Sequence, residues 1–190
     1  MSKFKFYPIF IGLLMMALSP IGCALKVTSE PPPTPAPVIL TINYGAMVKT
    51  YSLDQIKALP STTGAAGTIS GAGTINTQVQ CKGVALAQLL SGFAGLSASS
   101  SIKIEGSDGY FMTLTYSQIT QGSFPTFSVT DGTLVSSPGQ STTVLEYEEN
   151  GVALGSDLGP LRLAFISPQG QVTRSNLWVK SIGTIDILAG

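Results

Sequence analysis

Apolar and polar residues alternate with a period of two over most of the chain after residue 37, which is the pattern of half-buried β-strands. The run VILTINYG at 38–45 and the segment that follows it predict two strands. Asp108-Gly109 and Asn150-Gly151 separate further runs and predict hairpin turns. The whole pattern predicts about ten short strands.

Three short segments depart from this alternation and predict helices. Ser52 and Gln55 have the spacing of a capping box at the start of the first one. The second, at 86–93, has apolar residues at i, i+3, i+4 and i+7. Thr115 and Gln118 could cap a single turn in the third. Together these elements predict an α+β domain over residues 38–190, mainly β with two or three short helices.

The first 22 residues have the pattern of a secretory signal peptide. Lys3 and Lys5 form a cationic start, and an apolar stretch follows from Phe6 to Leu18. This stretch is shorter than the roughly 20 residues that a membrane-spanning helix needs. The pattern therefore predicts export rather than a transmembrane helix.

Gly22-Cys23 resembles the end of a bacterial lipobox, in which the cysteine is lipidated and becomes the mature N-terminus. Pro20 stands where a leucine is usual, and the alternative is an ordinary signal cleaved nearby, with Cys23 as a free thiol. Residues 23–37 are rich in proline and lack periodicity, which is typical of a stiff tether. We therefore expect lipidation at Cys23 and a membrane-anchored lipoprotein of the bacterial cell envelope that faces the periplasm.

The composition narrows the possible chemistry. The chain contains no histidine, which removes the usual general base, the Ser-His-Asp triad and most zinc sites. Residues 23–190 carry eight Lys and Arg against ten Asp and Glu, a net charge of −2. Because no basic patch stands out along the chain, nucleic acid is not an expected partner.

Five stretches, in this order, resemble the sulfite-oxidase-like molybdopterin-binding domain. They are YSLDQIKALP, CKGVALAQLL, IKIEGSDGYFMTLTY, VLEYEENGVAL and GPLRLAFISPQGQVTRSNLWVKSIGTIDIL. The resemblance covers most of residues 38–190 and implies the sulfite-oxidase-like α+β fold, with much β structure. It also implies a molybdopterin-dependent oxidoreductase or a subunit of one.

The resemblance bears on Cys81, the only cysteine after residue 23. Enzymes of the family hold molybdenum through one cysteine thiolate and the dithiolene of a pterin, and a soft thiolate suits such a metal. Their cysteine lies well upstream of a Gly-Val pair, which corresponds here to Gly83-Val84. Cys81 instead takes a position that is often aromatic in the family and packs inward. We therefore expect a small buried side chain at Cys81, with a metal ligand and a redox group as the alternatives.

Three residues are candidates for binding a cofactor or another anion. Arg162 and Lys180 fall at motif positions of the family, and Tyr110 lies in its Asp-Gly-Tyr stretch. A pterin phosphate needs several cationic donors, and only seven Lys and Arg follow residue 37. The alternatives are a surface arginine, a solvated lysine and an aromatic residue of the core.

Three glutamates precede the predicted Asn-Gly turn. Strict alternation places Glu146 and Glu148 on the same face of their strand. The sequence around them lacks the spaced ligands of a calcium loop. Solvated charge near a turn is therefore the expected role of these two residues and of Glu149.

The sequence leaves three hypotheses for function. The one we favour is an exported, lipid-anchored domain that binds a small ligand or a partner protein in the family's cleft, with no thiolate-held molybdenum and no resident cofactor. A molybdopterin-dependent oxidoreductase, working with a redox partner protein, is the alternative that the resemblance implies. A structural envelope lipoprotein is the third.

Overall fold

A computed structural model describes residues 35–188 of the 190-residue chain. The predicted signal peptide, most of the tether and the predicted lipidation site Cys23 lie outside the described residues. The strands are β1 (Val38–Tyr44), β2 (Met47–Ser52), β3 (Thr62–Ile69), β4 (Ile75–Ala85), β5 (Ser101–Gly106), β6 (Phe111–Thr115), β7 (Phe127–Ser128), β8 (Thr142–Glu149), β9 (Val152–Ala153), β10 (Arg162–Ile166), β11 (Gln171–Arg174) and β12 (Ile182–Leu188). The helices are α1 (Leu53–Lys57), α2 (Leu86–Leu90) and α3 (Tyr116–Gln121), and a 3-10 turn covers Ser175–Leu177.

The α+β class expected from the sequence is wrong, because the described chain is mainly β. Its three α-helices have five, five and six residues, which is enough to connect strands but too short to form a layer. The stripe at 86–93 predicts a longer second helix than forms. α2 ends at Leu90, although Phe93 is buried with the leucines. Within residues 35–188, no helix has the length and apolar character that crossing a bilayer would require.

The two capping boxes predicted from the sequence are confirmed. Ser52 Oγ accepts a hydrogen bond from the Gln55 amide at 3.2 Å, and Gln55 Oε1 accepts one from the Ser52 amide at 2.8 Å. Thr115 and Gln118 form the same reciprocal pair at the start of α3. Each box satisfies backbone donors that a helix start would otherwise leave unpaired.

One sheet contains five strands in the order β2-β1-β12-β5-β6. β1 and β12 run parallel, and the other neighbours are antiparallel. One face of this sheet is buried, as Leu40, Ile42 and Ile104 show. The other face is polar, and there the Asn43 amide donates a hydrogen bond to Asp186 Oδ1 at 2.7 Å.

The second sheet closes into a small barrel. Its strands follow one another in the order β10-β8-β4-β3, and Ile166 of β10 pairs with Ala66 of β3 to complete the circle. β11 extends β3 in parallel, β7 pairs with β11, and β9 pairs with β8. Each barrel strand contributes one small side chain to a buried cluster: Ala66, Cys81, Val144 and Ala164. Side chains of this size fill the interior of a narrow barrel.

The main hydrophobic core joins the barrel to the buried face of the five-stranded sheet. Leu145, Leu163 and Phe165 supply the barrel's part of this core. The ring of Phe165 contacts that of Phe124 edge-on, with centroids 4.7 Å apart. This packing fixes the orientation of β8 and β10, which carry the charged residues of the candidate site.

Candidate functional site

A cleft of about 380 Å³ lies on the side of the barrel. We call it the barrel cleft. It is lined by Ala66, Gly67, Thr68, Asn76, Val79, Glu149, Leu158, Arg162, Ser175, Trp178 and Lys180. Strands β3 and β4 form one wall, and the segment before β12 forms the other. Two of the three cofactor candidates from the sequence, Arg162 and Lys180, thus share one site.

A β-bulge in β8 determines which glutamates face this site. Lys82 pairs with Glu148 and Gly83 with Glu146, so Tyr147 is an extra residue without a partner in β4. Such an insertion breaks the two-residue alternation of a strand. As a result Glu146 and Glu149 both contact Arg162, while Glu148 forms an ion pair with Lys82 at 3.6 Å. The prediction that Glu146 and Glu148 share a face, both solvated, is therefore wrong.

Both carboxylates bind Arg162, through its Nε and Nη2 atoms. Its Nε donates to Glu146 Oε2 at 2.6 Å, and its Nη2 donates to Glu149 Oε2 at 2.6 Å and lies 2.5 Å from Glu146 Oε2. The side chain is only 10% exposed, and its guanidinium lies over the Trp178 ring at 4.9 Å from the centroid. Trp178 is itself held by a hydrogen bond from Nε1 to Thr173 Oγ1 at 2.9 Å. Arg162 is thus neutralised from within the chain.

Glu146 is the most deeply buried charged residue of the site. Its side chain is fully buried, and among the described residues its Oε1 has no hydrogen-bond partner. Burial raises the pKa of this carboxyl above its usual range, and the attraction of Arg162 offsets only part of the rise. The Cys81 thiol and the Glu149 carboxylate are the other titratable groups around it. The folded protein therefore holds the Glu146 proton more tightly than the unfolded chain does.

This raised pKa makes stability depend on pH. When folding raises the pKa of a carboxyl group, the folded state binds more protons than the unfolded state. The free energy of unfolding therefore falls as the pH rises. For Glu146 this fall begins at about pH 4.5, the ordinary pKa of the group, and continues through the pKa of the folded state. Each unit of pKa rise corresponds to about 1.4 kcal/mol. We expect Glu146→Gln to lack this fall, so that its stability relative to wild type increases with pH.

The measurement is urea unfolding of wild type and Glu146→Gln at intervals between pH 4 and 8. Because both proteins share every other titrating group, the difference between them isolates Glu146. A difference that stays constant, or that decreases as pH rises, would show that Arg162 governs this carboxyl rather than its burial.

Cys81 lies inside the barrel, behind the charged cluster. It is fully buried and does not line the barrel cleft. Burial, with the charge of Glu146 second, raises the pKa of the Cys81 thiol far above its ordinary value. The protonated thiol is a poor nucleophile and a poor metal ligand. This placement is that of a small core side chain.

Lys180 is the cation of the barrel cleft that has no ion pair within the described part of the chain. Its side chain is exposed, and within residues 35–188 the ion pairs involve Lys82, Lys103 and Arg162 but not Lys180. The lining also contains the polar side chains of Thr68, Asn76 and Ser175 and the carboxylate of Glu149. An anion entering the cleft would therefore meet one unpaired positive charge.

Tyr110, the third candidate, does not line the barrel cleft. It is 43% exposed, and its hydroxyl donates a hydrogen bond to the Asn176 carbonyl at 2.6 Å. Its backbone amide donates to Asp108 Oδ1 at 2.9 Å and thereby closes the Asp-Gly turn. The structure gives Tyr110 a part in holding the 3-10 turn beside the cleft.

Sequence reasoning missed three members of the site, which are Glu146, Glu149 and Trp178. The two glutamates were expected to be solvated, and no role in a site was predicted for Trp178. Trp178 is half-buried and stacks with Arg162 at the cleft. The signal that could have indicated this site was the group of three glutamates just before the Asn-Gly turn. A later strand begins with Arg162, which is a possible partner for these carboxylates.

Comparison with known proteins indicates the class of fold. No protein-family model and no curated protein matches the chain. The chain is similar to the crystal structure of the sulfane dehydrogenase SoxCD from Paracoccus pantotrophus, with a TM-score of 0.57 and 18% sequence identity. The match covers 80% of this chain and 38% of that chain. The likeness concerns the fold, which is that of part of an oxidoreductase.

The residues present do not fit the thiolate-held molybdopterin that the family resemblance implies. Cys81, the only cysteine of residues 35–188, is sealed inside the barrel with its thiol protonated. Arg162, which could meet a phosphate, is already bound by two carboxylates. Within the described chain no group of three His, Cys, Asp or Glu is arranged to hold a metal ion. Residues 35–188 therefore offer no accessible thiolate for such a group.

Proposed function

We propose that this chain is a ligand-binding relative of the sulfite-oxidase-like molybdopterin-binding family, and that its barrel cleft takes a small anion without thiolate-held molybdenum. One observation carries the proposal: the cleft presents Lys180, a cation without an ion pair among the described residues, while Cys81, the one thiol within residues 35–188, is buried behind an ion-pair cluster. The likeness to SoxCD supports an oxidoreductase-like fold, but a fold does not fix a function.

The lining of the barrel cleft defines the class of ligand. Lys180 supplies charge, and the side chains of Asn76 and Ser175 supply hydrogen bonds. Val79 and Leu158 add apolar surface. A volume of about 380 Å³ lies within the usual range for small-molecule sites. An inorganic oxyanion or a small carboxylate with a short apolar part fits this combination.

The place of action that we propose rests on the sequence before residue 38. A signal peptide at 1–22, lipidation at Cys23 and a proline-rich tether would hold the domain at a membrane surface outside the cytoplasm. The membrane is thus a partner through the lipid anchor. The ligand would then be a solute of the cell envelope.

The test is calorimetric titration of the protein with sulfate, phosphate and a series of short monocarboxylates at fixed ionic strength. We expect saturable binding of at least one of these anions. Lys180→Gln should weaken it about tenfold or more, because a hydrogen bond to a charged group contributes roughly 1.5–3 kcal/mol. Lys103→Gln is the matched control, since Lys103 is paired with Glu105 on the five-stranded sheet. Absence of binding to wild type, or equal binding by Lys180→Gln, would overturn the proposal.

The second candidate is a molybdopterin-dependent oxidoreductase, which the fold likeness to a sulfane dehydrogenase favours. It is tested by molybdenum content, measured by mass spectrometry on protein exported from a molybdate-replete host, beside a Cys81→Ser variant. Near-stoichiometric metal in wild type would replace the first proposal with this one. Loss of that metal in Cys81→Ser would identify Cys81 as the ligand.

A further inference from the structure

Arg162 is bound by one more carboxylate than its charge requires. Glu146 approaches it from inside the barrel and Glu149 from the mouth of the barrel cleft. When both carboxyl groups are ionised, the three side chains carry one net negative charge. A guanidinium that binds a second carboxylate resembles an anion-binding site whose ligand is already bound.

The two carboxylates differ in how easily they can leave. Glu146 is fully buried, and moving it would place its charge in the apolar interior. The Glu149 side chain is 31% exposed and belongs to the last residue of β8, directly before the Asn150-Gly151 turn. Ion pairs that are partly exposed contribute only about 0–1 kcal/mol, since water replaces the lost contact. Glu149 can therefore turn outward at small cost.

We propose that the Glu149 carboxylate is an internal ligand of Arg162 and is exchanged for the anion that enters the barrel cleft. The proposal rests on the anion-binding function proposed above and adds a regulation of that site. In the ligand-free protein, which we call the closed state, the Glu149 carboxylate neutralises Arg162. In the bound state an oxyanion or carboxylate with two acceptor oxygens spans Arg162 and Lys180, and Glu149 faces solvent.

The geometry of the cleft supports such an exchange. Arg162 and Lys180 both line it, and so does Glu149, so the internal and the external anion compete for one space. The Arg162 guanidinium is held in place by Glu146 on one side and by the Trp178 ring on the other. A fixed guanidinium loses little conformational entropy when it changes partners. The bulge at Tyr147 is what directs Glu149 toward it.

Trp178 gives a direct readout of the exchange. It is the only tryptophan of the chain, and the Arg162 guanidinium lies over its ring. Replacing one anion by another on this guanidinium changes the field at the indole, so its fluorescence emission should change on binding. Fluorescence titration with phosphate and with sulfate, at fixed ionic strength, therefore follows the proposed site itself.

The variants that test the proposal are Glu149→Gln and Glu149→Ala, with Glu148→Gln as the matched control. Removing the competing charge should tighten anion binding about three- to fivefold relative to wild type in both Glu149 variants, because a competing ion pair worth up to about 1 kcal/mol is lost. Glu148→Gln removes the same charge one residue away, but Glu148 pairs with Lys82 and not with Arg162, so its affinity should stay within about twofold of wild type. Far-ultraviolet circular dichroism checks that each variant is folded.

The outcomes separate this inference from the function on which it rests. Equal affinity of wild type and both Glu149 variants, with weaker binding by Lys180→Gln, would overturn the exchange and leave the anion site standing. An equal gain in Glu149→Gln and Glu148→Gln would reduce the effect to general electrostatics and would also overturn it. Absence of a phosphate or sulfate response in every protein would overturn the exchange. Absence of binding to the short monocarboxylates as well would overturn the anion site on which it rests.

Discussion

Replacement of Arg162 by methionine is expected to lower the free energy of unfolding by about 3–5 kcal/mol, the usual cost of removing one partner of a buried ion pair. Methionine keeps most of the apolar stem of Arg162 but removes the guanidinium, which lies over Trp178 and is the only cation within residues 35–188 that forms an ion pair with Glu146. Glu146 is then a fully buried carboxylate without a counter-charge. Urea unfolding at pH 7, followed by circular dichroism, measures the loss.

The double variant Arg162→Met with Glu146→Met is the decisive control. It removes both charges of the buried pair, and apolar replacement of a whole pair is often neutral or stabilising. We therefore expect it to recover most of the stability that the single variant loses, since Glu149 is exposed enough to turn to water. A single-variant loss below about 1 kcal/mol would mean that the pair contributes specificity rather than stability. A double variant as unstable as the single one would point to lost packing on Trp178.

Replacement of Gly83 by alanine is expected to destabilise the protein by about 3 kcal/mol, at the upper end of overpacking effects. A Cβ at Gly83 would overlap the Leu145 carbonyl and would lie 2.8 Å from the Cα of Glu146. These are backbone atoms of the paired strand, so they can move only if the β4–β8 pairing opens. The site opposite Gly83 is the bulged segment that directs both glutamates to Arg162. Thermal and urea unfolding measure the cost.

Gly183→Ala is the matched control for this prediction. Gly183 also lies within a strand, β12, but a Cβ there meets no atom within 4 Å. We expect it to change the free energy of unfolding by less than about 1 kcal/mol, in either direction. Equal losses in the two variants would contradict the steric explanation and would indicate a general requirement for glycine in these strands.

Local features of the fold were predictable from the sequence. The capping boxes at Ser52 and Thr115 need residues only three positions apart. The turn at Asn150-Gly151 is equally local, and both residues have the positive φ angles, 52° and 80°, that such a hairpin requires. Alternation identified most strands, because burial of one face imposes a period of two. The prediction of the α+β class was wrong in part because the apolar spacing at 86–93 was interpreted as one helix. The same spacing arises here from a short helix that ends at Leu90 and a buried aromatic residue, Phe93, that follows it.

The candidate site was predictable only in part. The motif positions identified Arg162 and Lys180, which line the same cleft. They did not show that Arg162 is paired with two carboxylates while Lys180 has no ion pair within the described residues. Whether an arginine is free depends on which carboxylates face it, and that is set here by one extra residue in β8, Tyr147. A bulge depends on the register with a strand more than sixty positions away, so alternation within β8 alone does not show it. The closure of the barrel by β3 and β10 is nonlocal for the same reason.

The parallel pairing of β1 and β12 determines when the five-stranded sheet can form during synthesis of the chain. Thr41 lies beside Thr184, so the first and the last strands are direct neighbours near the middle of their sheet. Until residues 182–188 have left the ribosome, the β1–β2 and β5–β6 pairs have no strand to join them. Closing so long a loop is entropically costly and slows folding. The five-stranded sheet of the nascent chain must therefore stay incomplete until residues 182–188 have been synthesised.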